Sequence, residues 1–290
     1  MDFTLFKRNY YCLVAGLPDL MMDAGSLSNT SLSFKEELAE QLHASDYRMA
    51  ALFYLQYDNK NLLNILLNDN QSHSPLANYT ESYLQEQIKE VAGVQEYIGR
   101  FIHLFKEDSF DKSSFNSEKH LWKLYYEYVL QSKNDFLKQW FYFDYNLKNI
   151  QTAVNCHQYG FQLEEQLIPI EGKDDVYKML LKGAQKPEMF ADEVPYAEKI
   201  WKIADSNMDI TKKEKAMDAI RWEYLDEHTF FNYFSIEKIL SFLIKLSMVE
   251  RWMLLDKETG KALFEKLIND IKTNYKFPEE FSVKSKISTH

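Results

Sequence analysis

The sequence predicts an all-α protein, and three observations lead to that prediction. Apolar residues recur at helical spacing along most of the 290-residue chain. Strict alternation of apolar and polar residues, which is typical of half-buried strands, is nearly absent. An aromatic motif occurs three times at almost constant spacing, and such repetition indicates repeated supersecondary units.

The motif is LFYLQYDNKNL at 52–62, WFYFDYNLKNI at 140–150 and TFFNYFSIEKI at 229–239, so the copies start 88 and 89 residues apart. The first two copies are identical at five of eleven positions. Coincidence is the alternative, because Phe and Tyr together supply 39 of the 290 residues.

If the repeat is real, the chain is one helical domain over residues 1–290, with modules at about 33–110, 117–200 and 205–275. The aromatic residues of the motif are then core residues, and truncating Phe141 or Phe230 to Ala is expected to cost on the order of 3–5 kcal/mol. The predicted core positions are Phe53, Tyr54, Tyr57, Phe141, Tyr142, Tyr145, Phe230, Phe231 and Phe234.

Helix signals follow one another through the first half of the chain. Ser33 and Glu36 form a capping-box pattern that opens a predicted helix through about residue 43. The first copy of the motif lies on the next predicted helix, at about 45–68. Residues 80–106 carry apolar positions at helical spacing, although Gly93 and a second glycine weaken the middle of this region.

The second half of the chain contains a further helix from about 118, followed by the second copy of the motif. Asn146 is the predicted cap of a helix that ends near Gly160. Residues 169–195 contain three prolines and two glycines. This segment, with a short helix at about 175–182, is the predicted boundary or a loop that reaches a partner.

From residue 196 onward the helix signals are strongest. Thr211 and Glu214 form a second capping-box pattern. Ser235 is the predicted cap of the most regular helix, and a last helix is predicted at about 257–274. The apolar stripe of the most regular helix consists of Ile236, Ile239, Leu240, Leu243, Leu246, Val249, Trp252 and Met253.

Composition excludes several classes of protein. The 34 basic and 44 acidic residues give a net charge of −10, which argues against general affinity for nucleic acid or anionic lipid. Only Cys12 and Cys156 are present, so no disulfide framework is indicated and a cytosolic setting is favoured. No apolar stretch has the length of a signal peptide core or a membrane span.

The sequence contains no recognisable catalytic or metal-binding pattern. GxxxxGK[ST], GxGxxG, HExxH and CxxC are all absent, and the seven histidines include no i,i+4 pair. Asp144, among aromatic residues, is the best candidate for an acid–base group, yet Gln56 and Tyr233 take its place in the other copies. We therefore expect no catalytic residue, no cofactor and no metal.

The central motif with the following Gly160 resembles the signature of the C-subunit family of the archaeal and bacterial V/A-type rotary ATPases, to which the eukaryotic d-subunit also belongs. FFNYFSIEKILSFLIKLSMVERW, at 230–252, is similar to the last module of that family. With RWEYLDEHTFF at 221–231 and NYYCLVAGLPDL at 9–20, the chain resembles more specifically a bacterial branch associated with V-type ATPases. It departs from the family near Thr152, where an arginine is frequent.

This resemblance implies three pseudo-symmetric helical modules arranged as a funnel. It also implies a non-catalytic rotor subunit that couples the central shaft to the membrane proteolipid ring for ion or proton transport. The partners would be the central-stalk subunits and that ring, and the location would be cytoplasmic, at the inner membrane through the complex. The acidic balance would suit a basic shaft end. The alternative is an all-α scaffold that holds a partner helix in a groove.

Overall fold

The computed structural model of the protein describes residues 8–24, 26–172, 175–182, 194 and 196–274, with the backbone alone from 258 onward. These residues form twelve α-helices and no strand, which confirms the all-α prediction. In chain order the helices are α1 Tyr11–Ala15, α2 Ser31–Gln41, α3 Ala44–Leu66, α4 Glu81–Lys89, α5 Glu96–Lys106, α6 Ser114–Val129, α7 Asp135–Tyr159, α8 Leu163–Gln166, α9 Asp175–Leu181, α10 Ala197–Asp205, α11 Ile210–Thr229 and α12 Ile236–Asn274.

Three long helices, α3, α7 and α12, dominate the architecture, with 23, 25 and 39 residues. Each follows a shorter helix that packs against it, so that α2 precedes α3, α6 precedes α7 and α11 precedes α12. The helices fall into three runs at 31–106, 114–205 and 210–274. Much of the proline-rich 169–195 segment lies outside the described residues, although its predicted short helix corresponds to α9.

The first two copies of the motif occupy equivalent places on α3 and α7. Asn61 and Asn149, identical positions of the motif, each pair through the side-chain amide with the peptide of a residue that precedes a proline. Ser74 N donates to Asn61 Oδ1 at 2.9 Å, and Asn61 Nδ2 donates back to Ser74 O at 3.4 Å. Ile168 N and O make the same pair with Asn149, at 3.0 Å each. Helices α3 and α7 thus each fix the segment that follows them by the same bond pattern.

The third copy does not share this place, and the prediction that its aromatics pack in the core is wrong. Residues 229–239 span the turn between α11 and α12. Phe230, Phe231 and Phe234 are 64%, 81% and 38% exposed. Aromatic abundance, not structural equivalence, produced this match. The other six motif aromatics are buried or half-buried: Phe53, Tyr54, Tyr57, Phe141, Tyr142 and Tyr145.

The predicted cap at Asn146 is also wrong, because this residue lies in the middle of α7 and is buried. The helix begins eleven residues earlier at Asp135, where the Asn134 side chain accepts from Leu137 N at 3.0 Å. It ends as predicted at Gly160, which has a φ of 73° and so a left-handed backbone that favours glycine. The aromatic run before Asn146 is part of α7. Because α7 is buried on several sides, its apolar residues do not form the single stripe of an amphipathic helix, and the helical periodicity is hidden.

Other caps lie one turn or less from the predicted residues. For α2 the box is formed by Thr30 and Ser33, whose side chains accept from each other's backbone N–H at 3.1 and 3.0 Å. For α11 the cap is Asp209, which accepts from Lys212 N at 2.9 Å. Ser235 immediately precedes α12, but its buried hydroxyl has no hydrogen-bond partner in the described structure.

Two further boundaries differ from the predicted elements. The 80–106 region divides into α4 and α5 because Gln87 Oε1 accepts from Ala92 N and Gly93 N, both at 2.8 Å, and so holds the chain in a turn. A side chain at Gly93 would collide with the hydroxyl of Tyr83, which explains the glycine. The two helices predicted after Ser235 are instead the single helix α12.

Truncating the aromatic residues at equivalent positions of the motif should separate core from surface. Phe141→Ala is expected to lower the free energy of unfolding by about 3–5 kcal/mol, since Phe141 is buried against Phe53. Phe230→Ala should change it by no more than about 0.5 kcal/mol, because Phe230 is mostly exposed. Chemical denaturation of both variants measures the difference, and an equal loss in the two would contradict the assignment.

Candidate functional site: a central cavity

A cavity of about 610 Å³, open to solvent, lies between the three long helices. On α3 the lining residues Phe53, Gln56, Tyr57 and Lys60 follow the i, i+3, i+4, i+7 spacing of one helix face. This spacing explains why the motif is rich in aromatics at some positions and polar at others. One face of the helix supplies both the apolar wall and the polar rim.

Helix α7 contributes the matching positions of the second copy. Phe141, Asp144 and Lys148 line the cavity from the places that correspond to Phe53, Gln56 and Lys60. The rings of Phe53 and Phe141 stack on each other, with centroids 5.1 Å apart and an interplanar angle of 27°. Two equivalent residues therefore meet at the cavity wall, as expected if the two helices are related by pseudo-symmetry.

Helix α12 closes the third side of the cavity. Its lining residues include Leu243, Ser247, Glu250, Arg251 and Leu254, which again lie on one helix face. Leu254 is 58% exposed and lies outside the apolar stripe of this helix. The Glu250 carboxylate accepts from the backbone N of residue 31, at the start of α2, with 3.3 Å to each oxygen. Negative charge at a helix N-terminus is stabilising.

A half-buried carboxylate forms the centre of the polar wall. Asp144 lies 3.2 Å from Lys148 Nζ and 3.4 Å from Arg221 Nε, and it accepts from Tyr126 Oη at 2.7 Å. Burial alone would raise the pKa of the Asp144 carboxyl. The charges of Lys148 and Arg221, with the Tyr126 hydroxyl, outweigh burial and lower that pKa to about 2. Asp144 is thus held ionised, which does not suit a general acid.

Arg221 connects this carboxylate to a second one. Its Nη1 donates to Asp218 Oδ1 at 2.9 Å, while its Nε faces Asp144. Asp218 also accepts from Arg251 and, at 2.8 Å, from Trp252 Nε1. Burial opposes the charge of Arg221, but the two carboxylates raise its pKa. The resulting chain of alternating charges runs from α7 through α11 to α12.

The sequence singled out Asp144 but not its partners. Arg221 lies 77 residues from Asp144, and Arg251 lies 33 residues from Asp218, so no local pattern could pair them. A partial signal was present, since Asp218 and Arg221 are three residues apart on one helix face. Elsewhere on α7, Cys156 is buried and the adjoining His157 is exposed.

No cluster of three or more metal-ligating side chains occurs in the described part of the chain. None of the helices in those ranges is long and apolar enough to cross a bilayer. Burial raises the pKa of the Cys156 thiol, which disfavours its reactive thiolate form.

Comparison with known proteins identifies a family. The model of the DUF2764 family, described as a protein family of unknown function, matches residues 7–275, and the chain therefore belongs to that family. Searches of curated proteins and of solved structures gave no match.

The ion pairs of Asp144 make a pH-dependent contribution to stability. Because the folded-state pKa is lowered from 3.8 to about 2, the contribution is fully present above pH 4 and is lost as the pH falls towards 2. We expect wild type to lose about 2 kcal/mol more of its unfolding free energy than Asp144→Asn over this range. Urea denaturation at pH 5, 4, 3 and 2 measures both profiles, and parallel curves would contradict the assignment.

Proposed function

We propose that this member of the DUF2764 family is a non-catalytic central-stalk subunit of a V/A-type rotary ATPase, which couples the shaft of the soluble head to the membrane proteolipid ring. The observation that carries the proposal is the open cavity between α3, α7 and α12. A shaft-to-ring adaptor requires such a cavity. We assign the complex as a V/A-type rotary ATPase because the central motif resembles the C-subunit family.

The wall of the cavity suits the transmission of torque. Stacked aromatics join α3 to α7 through Phe53 and Phe141, and α7 to α11 through Phe143 and Tyr224, whose centroids are 4.0 Å apart. The ion-pair chain through Arg221 joins α7, α11 and α12. Closely packed interiors have low compressibility and transmit strain, so a load applied in the cavity would reach the outer surface.

A rotor adaptor also needs a second docking surface, separate from the cavity. Exposed aromatics surround the turn between α11 and α12, and Tyr11 of α1 packs beside Phe234 with ring centroids 4.8 Å apart. None of these aromatic residues lines the cavity. In the proposed role, the cavity receives the shaft and this aromatic surface meets the ring. Its members are Tyr11, Phe230, Phe231, Tyr233 and Phe234.

The test is retention of the full chain by purified central-stalk subunits and by the proteolipid ring at low salt. We expect both to retain it, and we expect higher salt to slow association because charges steer the encounter. Ser247→Trp, which fills the cavity, should abolish retention by the stalk. Ser82→Trp, on the exposed surface of α4, is the matched control and should bind as wild type does.

Failure of the wild-type chain to bind either assembly, while it remains a folded monomer, would contradict the rotor function. A helix-binding scaffold unrelated to ATPases would then be the better assignment. Binding of the stalk by Ser247→Trp at wild-type strength would show instead that the shaft contacts another surface.

A further inference from the structure

The cavity wall differs in charge from the chain as a whole. The protein carries a net charge of −10, yet four basic and three acidic side chains line the cavity. A basic occupant, which the overall charge would favour, would therefore face a wall of slightly positive charge. The lining groups are Lys60, Lys148, Arg221 and Arg251 on the basic side, and Asp144, Asp218 and Glu250 on the acidic side.

Most of these charged groups already have a partner within the protein. Asp144 binds Lys148 and Arg221, and Glu250 binds the N-terminus of α2. Lys60, in contrast, is exposed and makes no ion pair with any residue of the described ranges. Lys60 is therefore one basic group that remains open to an occupant, and Arg251 is the second.

Arg251 lines the open part of the cavity while one of its nitrogens holds Asp218. Its side chain is 49% exposed, whereas that of Asp218 is 1% exposed. The guanidinium group has five N–H donors, so donors remain after the contact with one carboxylate. Arg251 also acts on the neighbouring Tyr57, whose pKa is raised by burial and by Glu250 and is lowered in part by Arg251.

The apolar part of the wall and the cavity size define the rest of the occupant. Phe53, Phe141 and the half-exposed Leu254 and Leu255 offer apolar contacts. A single helical turn, about 10–12 Å wide and 5.4 Å long, fills roughly 400–600 Å³, so the cavity of about 610 Å³ has room for it. The C-terminal turn of a helix presents unpaired carbonyls and the negative end of its dipole, which complements basic groups.

We infer that the cavity receives the C-terminal turn of a partner helix that carries a carboxylate beside apolar side chains, and that Lys60 and Arg251 bind this carboxylate. This inference rests on the proposed function for the identity of the partner, a stalk helix. The chemistry of the occupant follows from the wall itself.

Two synthetic helical peptides test the inference with the full chain. The two peptides share the same Leu- and Ala-rich body and differ only at the C-terminus. One ends in two glutamates with a free terminal carboxylate, and the other ends in two glutamines with a terminal amide. Fluorescence of Trp122 and Trp140, which line the cavity, reports binding. We expect the acidic peptide to bind roughly tenfold more tightly, as one charge-assisted hydrogen bond would provide.

Variants locate the effect in the cavity. Lys60→Gln with Arg251→Gln should lower the affinity for the acidic peptide to that for the neutral one. Lys60→Gln alone removes an exposed, unpaired group and so tests the proposal without risk to folding. Lys202→Gln with Lys212→Gln, at residues 72% and 74% exposed and outside the cavity, is the matched control and should leave the preference unchanged.

Equal binding of the two peptides, preference for the neutral one, or binding of neither would overturn the inference. These outcomes are distinct from failure of the rotor function. If the stalk subunits retain the chain but the acidic peptide has no advantage, the function stands and the inference falls. If the stalk is not retained while the acidic preference depends on Lys60 and Arg251, the occupant chemistry stands and its source is another protein.

Discussion

The guanidinium of Arg221 is the group on which the arrangement around the cavity depends. It lies half-buried between Asp144 of α7 and the buried Asp218 of α11, and Asp218 is held in turn by Arg251 and Trp252 of α12. Removing one member of a buried pair leaves an uncompensated charge, at a cost of about 3–5 kcal/mol. The position of α12 relative to α7, and hence the third side of the cavity, therefore depends on these ion pairs as well as on apolar packing.

The repeat predicts that the segments 52–62 and 140–150 occupy equivalent places, and the hydrogen bonds of α3 and α7 agree with this part of the prediction. Positions that match in 52–62 and 140–150 make matching contacts: Asn61 and Asn149 bind a following peptide, and the rings of Phe53 and Phe141 stack. The match of the third copy was wrong because aromatic residues are frequent in this chain, and a helix–turn–helix connection can contain them at similar spacing. The segment 229–239 resembles the other copies in its aromatic residues, but it lacks the hydrogen-bonding asparagine.

The site also depends on contacts between helices that no local pattern contains, although its pairs Asp144–Lys148 and Asp218–Arg221 have local helical spacing. Helix periodicity places Asp144 and Arg221 on their own helices but says nothing of their meeting across 77 residues. Capping residues are similarly ambiguous, since Asn134 and Asn146 are both good caps and only packing around α7 decides between them. The cavity itself is a property of three helices together, so its volume and wall charge appear only in the fold.

The contrast between the acidic chain and the slightly basic wall shows why net charge is a poor guide to a recessed site. At physiological ionic strength, exposed charges are screened beyond about 8 Å. A group inside the cavity is therefore governed by the side chains that line it, and Lys60 and Arg251 are the basic groups there that remain open to it. The acidic exterior acts earlier, on the rate at which a partner approaches. A partner helix that is basic along its length and acidic at its C-terminal turn would complement both the exterior and the cavity. The exterior would then steer the approach of the helix, and the cavity wall would recognise its end.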